Sequence, residues 1–253
     1  MSLSRRHALA LLATSLVTAR KASAFGQAGA FSPRLLTTGA KALTAPRDTA
    51  PERWAWELVR RTSAPARLND KSVAADSPEL FREPFVLWAG SGDFPSLSAP
   101  EKRGLERFIK LGGVIVVDDS DPGGGAFGKA AKRELARVLP ATPPIKLDAS
   151  HVIYKTYYII DRPVGRVLGP PALSAIVRGN TAQVIFLQHD LLGALARTRG
   201  GSWSLAVEPG GNVQREHAVR LAVNLAMYVL CSDYKDDQVH APWLMRRRAR
   251  RRP

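Results

Sequence analysis

The sequence predicts a single α/β domain built on a mostly parallel sheet, and three observations support this prediction. The chain has 253 residues, of which 45% are hydrophobic and 23% charged, a composition typical of one globular domain. Short apolar runs alternate with segments of helical period over residues 25–240, as expected where crossover helices join strands. Residues 114–117 are all apolar and β-branched, which indicates a central strand buried on both faces.

The first half of this domain contains three predicted strands and two predicted helices. The strands cover residues 32–37, 84–89 and 114–117. Both helices begin with the pattern of a capping box, in which a hydroxyl accepts a first-turn amide and proline loses no hydrogen bond; the patterns are Thr49-Ala-Pro-Glu52 and Ser98-Ala-Pro-Glu101. Spacing predicts that these helices bury Trp54, Leu58 and Val59 in the first and Leu105, Phe108 and Ile109 in the second.

The second half continues the same alternation. A third helix is predicted with inward residues from position 127 to 139, and residues 151–160 are predicted to be extended and aromatic. Two strands, 172–178 and 181–188, are separated by a Gly-Asn pair, which predicts a hairpin. The last helix is predicted over residues 214–230 from apolar positions three, four and seven residues apart.

The net charge of +15 is concentrated at the two ends of the chain. Four positive charges lie in residues 1–24 and six arginines in 246–252, and neither segment contains an acid. Removing these ten charges leaves +5 for residues 25–245, too little to indicate binding to nucleic acid. The apolar-basic tail, residues 241–253, suits an anionic membrane surface or an acidic partner, with a solvated disordered tail as the alternative.

The N-terminus is similar to a twin-arginine export signal. Ser4-Arg5-Arg6-His7-Ala8-Leu9 precedes an uncharged, mostly apolar run, residues 8–19, which is too short to span a bilayer of ~30 Å as a helix. Ala22-Ser23-Ala24 supplies small residues for cleavage before Phe25. We therefore expect residues 1–24 to be a signal and the domain to lie in the periplasm or another extracytoplasmic space.

Sequence motifs do not supply a complete catalytic site. Residues 123–129 have the spacing of a phosphate-binding P-loop, but Ala130 stands where Ser or Thr must ligate magnesium. There is no G-x-S-x-G elbow and no Cys/His zinc spacing. The one cysteine, Cys231, lies in an apolar helix, where a thiol is usually a small buried hydrophobe.

Polar clusters follow three predicted strands, at residues 90–93, 118–121 and 188–190. Ligands of open parallel sheets bind beyond the carboxyl ends of the strands, so adjacent strands would bring these clusters into one crevice. There, carboxylates and an imidazole could hold a divalent cation or share a proton. The alternative is that Asp119 and Asp121 cap the turn and helix that follow. The metal candidates are Asp118, Asp119 and Asp121, with His189 and Asp190 as further ligand-binding candidates.

Two further candidates come from the second half of the chain. His151, with the tyrosines of the 151–160 segment, is expected either to line the same crevice or to form a half-buried strand. Arg178 follows a predicted strand and is expected to be either an anion clamp or a surface ion pair.

Four segments together resemble the DUF4159 family over roughly residues 30–240. They are Phe31-Ser-Pro-Arg34-Leu35, Phe108-Ile-Lys-Leu-Gly-Gly113 leading into Asp118-Asp119, His189-Asp190-Leu-Leu-Gly193-Ala194, and Asn224-Leu-Ala-Met-Tyr228. The resemblance implies a fold similar to class I glutamine amidotransferases, a flavodoxin-like three-layer sandwich with a mostly parallel sheet. Relatives of that fold use a cysteine at a strand-to-helix elbow, whereas aspartates occupy the comparable position here, after residues 114–117.

These observations predict an exported, amidotransferase-like domain that binds a small ligand or an envelope protein partner without catalysis. No cofactor and no nucleic acid are expected. The alternative is a metal-assisted hydrolase of an envelope glycan or phosphate ester, with the three aspartates as metal ligands and His189 as base. In a third interpretation the acids are caps and the surface is an assembly interface.

Overall fold

The structure is a computed structural model that describes residues 29–39, 43–68 and 72–235. The predicted signal and basic tail lie outside these residues. Within them, no helix is long and apolar enough to cross a membrane. The strands are β1 (Arg34–Thr37), β2 (Val73–Ala74), β3 (Phe85–Gly90), β4 (Val114–Asp119), β5 (Ile145–Lys146), β6 (Ser174–Arg178) and β7 (Thr181–Leu187). The α-helices are α1 (Ala50–Thr62), α2 (Ala99–Lys110), α3 (Ala126–Val138), α4 (Leu191–Leu195) and α5 (Gly211–Lys235).

The strands form one sheet in the order β2-β1-β3-β4-β7-β6-β5. Strands β2, β1, β3, β4 and β7 are parallel, whereas β6 runs antiparallel to β7 and to β5. Strand β4 therefore lies at the centre, and all six of its residues are buried. The prediction of a mostly parallel sheet with 114–117 in its central strand is confirmed, as is the β6–β7 hairpin.

Helices cover both faces of the sheet because the buried strands alternate their side chains between two cores. One core joins Leu87, Val116 and Ile185 to α1, α4 and α5. The other joins Trp88, Ile115 and other strand residues to α2 and α3. The buried positions predicted for α2 and α3 lie in this second core, and so the helical spacing identified them correctly.

The two capping-box patterns have different outcomes. Ser98 and Glu101 form the predicted box. The Ser98 hydroxyl accepts a hydrogen bond from the Glu101 N–H at 3.3 Å, and the Glu101 carboxylate accepts one from the Ser98 N–H at 2.8 Å. The box predicted at Thr49 is wrong: its hydroxyl caps nothing and instead accepts the Arg197 N–H at 2.9 Å. A capping residue needs an extended backbone, which Ser98 has (ψ 160°), whereas a preceding 3-10 turn leaves Thr49 helical (ψ −14°).

Two further expectations are corrected. Val59 is 42% exposed, although Trp54 and Leu58 are buried as predicted. Residues 151–160 are not extended but contain the 3-10 helix Val152–Lys155. Asn224 of α5 accepts the N–H groups of Tyr157 and Tyr158 at 3.2 and 2.7 Å, so a side chain far away in sequence satisfies backbone groups that a strand neighbour would otherwise pair.

Candidate functional site

The sheet contains four adjacent parallel strands, β1, β3, β4 and β7. Their C-terminal ends lie side by side along one boundary of the sheet, here called the carboxyl edge. The polar clusters 90–93 and 118–121 begin in the last residues of β3 and β4, and the cluster 188–190 follows β7, so the three clusters lie side by side there. This is the adjacency on which the predicted crevice depended.

The neighbouring acids Asp118 and Asp119 point to opposite faces of the sheet. Asp118 accepts the N–H groups of Leu191 and Leu192 at 3.0 and 2.8 Å, at the start of α4. Asp119 accepts the Gly128 N–H at 2.9 Å in the first turn of α3. Because successive strand residues alternate faces, each acid meets a helix on its own side. Asp119 caps the helix that follows it, as the alternative interpretation predicted, whereas Asp118 caps a helix that begins 73 residues further along the chain.

Burial controls the protonation of both acids. Burial first, and then the charge of Asp190, raise the pKa of Asp118 to about 8, although its two amide donors oppose the shift. Burial also raises the pKa of Asp119, against the amides of Gly128 and Asp121. Burial therefore favours the protonated form of Asp118 to a higher pH than in a solvent-exposed aspartate.

Asp190 is the most highly bonded acid of the carboxyl edge. Its carboxylate accepts hydrogen bonds from Arg47 Nε and Nη2 at 2.8 and 2.6 Å, from the Gly193 N–H at 3.0 Å, and from Arg166 Nε. Its backbone is left-handed (φ 51°), which is uncommon for a residue with a side chain. Sequence reasoning missed both arginines, because they lie 143 and 24 residues from Asp190 and carry no local motif.

His189 is a buried structural residue of the same edge. Its Nδ1 accepts the Gln188 N–H at 3.2 Å, and its Nε2 lies 2.9 Å from the Pro170 carbonyl oxygen, so that Nε2 donates. Burial lowers its pKa, which favours this neutral form. A Cβ at Gly165 or Gly169 would lie within 3 Å of His189, so these glycines allow the 165–170 segment to pack against it. Both ring nitrogens are therefore engaged, and neither is available as a base in this arrangement.

His151 and Arg178 lie away from these residues. His151 packs against Tyr228, whose hydroxyl accepts the Ala182 N–H at the start of β7. Arg178 ends β6 and donates to the Ile109 carbonyl at 3.3 Å, at the end of α2. Both are at the opposite edge of the sheet, because the β6–β7 hairpin turns there.

The described part of the chain contains no group of three or more His, Cys, Asp or Glu side chains that could hold a metal ion. A cation bound jointly by Asp118, Asp119 and Asp121 stays a prediction. It would require Asp118 or Asp119 to release the helix that it caps, because the two acids point to opposite faces.

A crevice of about 490 Å³ opens between the ends of β1 and β3, here called the β1–β3 crevice. The segment after β1 contributes Gly39, Thr44 and Arg47 to one wall, and residues 90–95 after β3 form the other. Ser120 and other residues complete the lining. Its volume lies within the range of small-molecule sites, about 300–1,000 Å³.

A second crevice, of about 510 Å³, is lined from 121–123, 166–170 and Gln188, beyond the ends of β4 and β7. Arg166 lines this crevice, whereas Arg47 lines the β1–β3 crevice. Since both arginines bind the carboxylate of Asp190, that acid connects the walls of the two crevices.

Comparison with known proteins adds one match. The model of a protein family described as "Domain of unknown function (DUF4159)" matches residues 34–230. The matched range begins at the first residue of β1 and ends within α5, so it includes every strand and both crevices. No curated protein matches the chain.

Proposed function

This chain belongs to the DUF4159 family, and from its architecture we propose that it is an exported, non-catalytic domain that binds a small ligand in the β1–β3 crevice. We further propose that its fold is the flavodoxin-like sandwich of class I glutamine amidotransferases. The strand order β2-β1-β3-β4-β7 with helices on both faces is compatible with that fold.

The position of the crevice in the chain path carries the proposal. The connection leaving β1 passes through α1 to β2, on one side, whereas the connection leaving β3 passes through α2 to β4, on the other. Where outgoing connections diverge, the loops separate and leave a gap at the carboxyl ends of the strands, and open α/β sheets bind their ligands there. The β1–β3 crevice occupies this divergence point.

The residues after β4 support binding without covalent catalysis. Asp-Asp-Ser-Asp stands where amidotransferase-like enzymes place a nucleophilic cysteine, and Cys231 lies in α5. Ser120 is the one hydroxyl in that turn, and the imidazole of His189 uses both ring nitrogens on backbone groups. A serine nucleophile needs a hydrogen-bonded base, and His189 does not serve as one.

The ends of the chain support an envelope location. Arg5 and Arg6 resemble the recognition pair of a twin-arginine signal. We therefore propose that residues 1–24 direct export of a folded domain, residues 25–240. The arginines of 246–252 would then attract an anionic membrane surface or an acidic envelope partner.

A fragment screen followed by amide chemical shifts tests the binding site. Neutral, cationic and anionic fragments are added to labelled protein starting at Phe25, and the best binders are expected to shift the amides of Ser91, Gly92 and Ser120. Ser91→Tyr should reduce these shifts by filling the crevice. Asn180→Tyr, in the exposed turn at the opposite edge, should leave them unchanged. Binders that perturb only residues outside the crevice would contradict the proposal.

A further inference from the structure

We infer that the ligand of the β1–β3 crevice is a small organic oxyanion with an apolar body. This inference rests on the proposed function and adds to it a chemical class. Four features of the described lining carry it: three amides and a buried hydroxyl that have no hydrogen-bond partner among the described residues, a fixed guanidinium group, and the presence of a single acid.

Unpaired amides lie in the loop after β3. Within the described chain, the backbone N–H groups of Ser91, Gly92 and Asp93 donate no hydrogen bond, whereas the next amide, Phe94, donates to the carboxylate of Asp93 at 2.7 Å. These three residues are exposed, so an anionic oxygen could replace water at the partial positive charges of their amides.

Arg47 contributes a guanidinium group whose direction is already fixed. Its Nε and Nη2 bind Asp190, and Nη2 also lies 3.3 Å from the Ser120 carbonyl oxygen. Its Nη1 donates no hydrogen bond to any described residue, and the side chain remains 21% exposed. A ligand oxygen on Nη1 would gain a charge-assisted hydrogen bond without first ordering a mobile side chain.

Ser120 supplies the independent sign of a missing partner. The residue lines the crevice and is 7% exposed, yet its buried Oγ has no hydrogen-bond partner among the residues that the structure describes. Its backbone groups are satisfied, because the N–H donates to Gly90 O at 2.8 Å and the carbonyl accepts from Arg47. Buried hydroxyls in folded proteins are nearly always paired, so a bound oxygen at this position would complete the site.

Negative charge is scarce in the described lining. Asp93 is its one acid, and the Oδ1 of that carboxylate already accepts from Arg133 at 3.1 Å and from the Phe94 amide. The remaining wall contains apolar side chains, namely Leu43, Phe94, Pro95 and Phe127. A lining that combines hydrogen-bond donors with hydrocarbon suits an oxyanion attached to an apolar group.

Two arginines provide a matched test, because Arg47 and Arg166 both bind Asp190 but line different crevices. Benzoate and its neutral analogue benzamide are titrated by calorimetry into the parent, Arg47→Gln and Arg166→Gln, with phenyl phosphate as a second oxyanion. The parent is expected to bind benzoate about tenfold or more tightly than benzamide. Arg47→Gln should remove this preference and Arg166→Gln should retain it. Ser120→Ala, a smaller change, should weaken benzoate more than benzamide.

The outcomes separate the inference from the proposed function. Equal affinity for benzoate and benzamide, with both mapping to the crevice, would overturn the anion assignment and leave a neutral-ligand site. Equal loss in Arg47→Gln and Arg166→Gln would also overturn it, because the effect would then come from Asp190. If Arg47→Gln does not melt cooperatively, the ratio of benzoate affinity to benzamide affinity is measured in Arg47→Lys and Ser120→Ala instead. A ratio equal to that of the parent in both variants would overturn the anion assignment. Fragments that never map to the crevice would overturn the proposed function itself.

Discussion

At the scale of single residues, the buried carboxyl group of Asp118 connects the stability of the fold to the carboxyl edge. Asp118 is fully buried, caps α4 with two hydrogen bonds, and faces the charge of Asp190. Its neighbour Asp119 caps α3 on the other face. Because the strand is pleated, the two adjacent acids point to opposite faces and each is hydrogen-bonded to a different helix. These bonds anchor the turn that contains Ser120.

Asp118 predicts a specific dependence of stability on pH. Its pKa is about 8 in the folded protein and 3.8 for an unperturbed side chain, so between these values the folded state binds the extra proton. The free energy of unfolding must then fall as pH rises through this window, by up to about 1.4 kcal/mol per pH unit. The free energy of unfolding of Asp118→Asn lacks this pH-dependent contribution. We therefore expect the free energy of unfolding of the parent, minus that of the variant, to be larger at pH 5 than at pH 8. Urea denaturation at both pH values measures this difference.

His189, whose pKa burial lowers, titrates in both proteins and so drops out of the difference. A difference between parent and variant that does not change with pH would mean that Asp118 is ionised in the folded protein.

At the scale of elements, two helices with the same sequence signature begin differently. Thr49-Ala-Pro-Glu52 and Ser98-Ala-Pro-Glu101 match residue for residue except at the capping hydroxyl. Only Ser98 forms the cap, and Glu101 additionally accepts the Gly39 N–H at 2.7 Å, which attaches the crevice wall after β1 to the start of α2. Thr49 instead attaches α1 to Arg197. Local sequence therefore predicts the helices but not the use of their first turns.

The two glutamates of these motifs should differ in their effect on stability. Glu101→Ala removes two hydrogen bonds to backbone amides and should lower the free energy of unfolding by about 1–2 kcal/mol. Glu52→Ala, at the same position of the other motif, changes an exposed side chain and should alter it by about 0.5 kcal/mol or less. Thermal melting of both variants makes the comparison. Equal losses of stability would show that Glu52 also caps its helix.

At the scale of the whole molecule, the two edges of the sheet have different roles. The carboxyl edge carries both crevices and the Asp190 network. At the opposite edge, Arg178 and Gln183 both donate to the Ile109 carbonyl and the Tyr228 hydroxyl accepts from the Ala182 N–H. There, helices and strands are hydrogen-bonded to one another. This asymmetry supports the proposal that a ligand binds at the carboxyl edge.

Export is the prediction that concerns the chain as a whole. Replacing Arg5 and Arg6 by lysine keeps the charge but removes the arginine pair that a twin-arginine signal presents. We expect the variant to remain in the cytoplasm while the parent appears outside it, as measured by cell fractionation of a tagged chain. Arg20→Lys, outside the motif, serves as the control and should be exported normally. Export of the double-lysine variant at the parental level would exclude a signal of the twin-arginine type.

The sequence by itself determined the α/β class, the central strand, the β6–β7 hairpin and the capped start of α2. These features depend on periodicity and on residues within a few positions of each other, which a linear pattern records. Only the tertiary structure decided that Arg47 and Arg166 meet at Asp190, that Asp118 and Asp119 part to opposite faces, and that His151 and Arg178 lie at the far edge. Those facts depend on strand order and on contacts across up to 143 residues, where chain folding, not local preference, sets which groups meet.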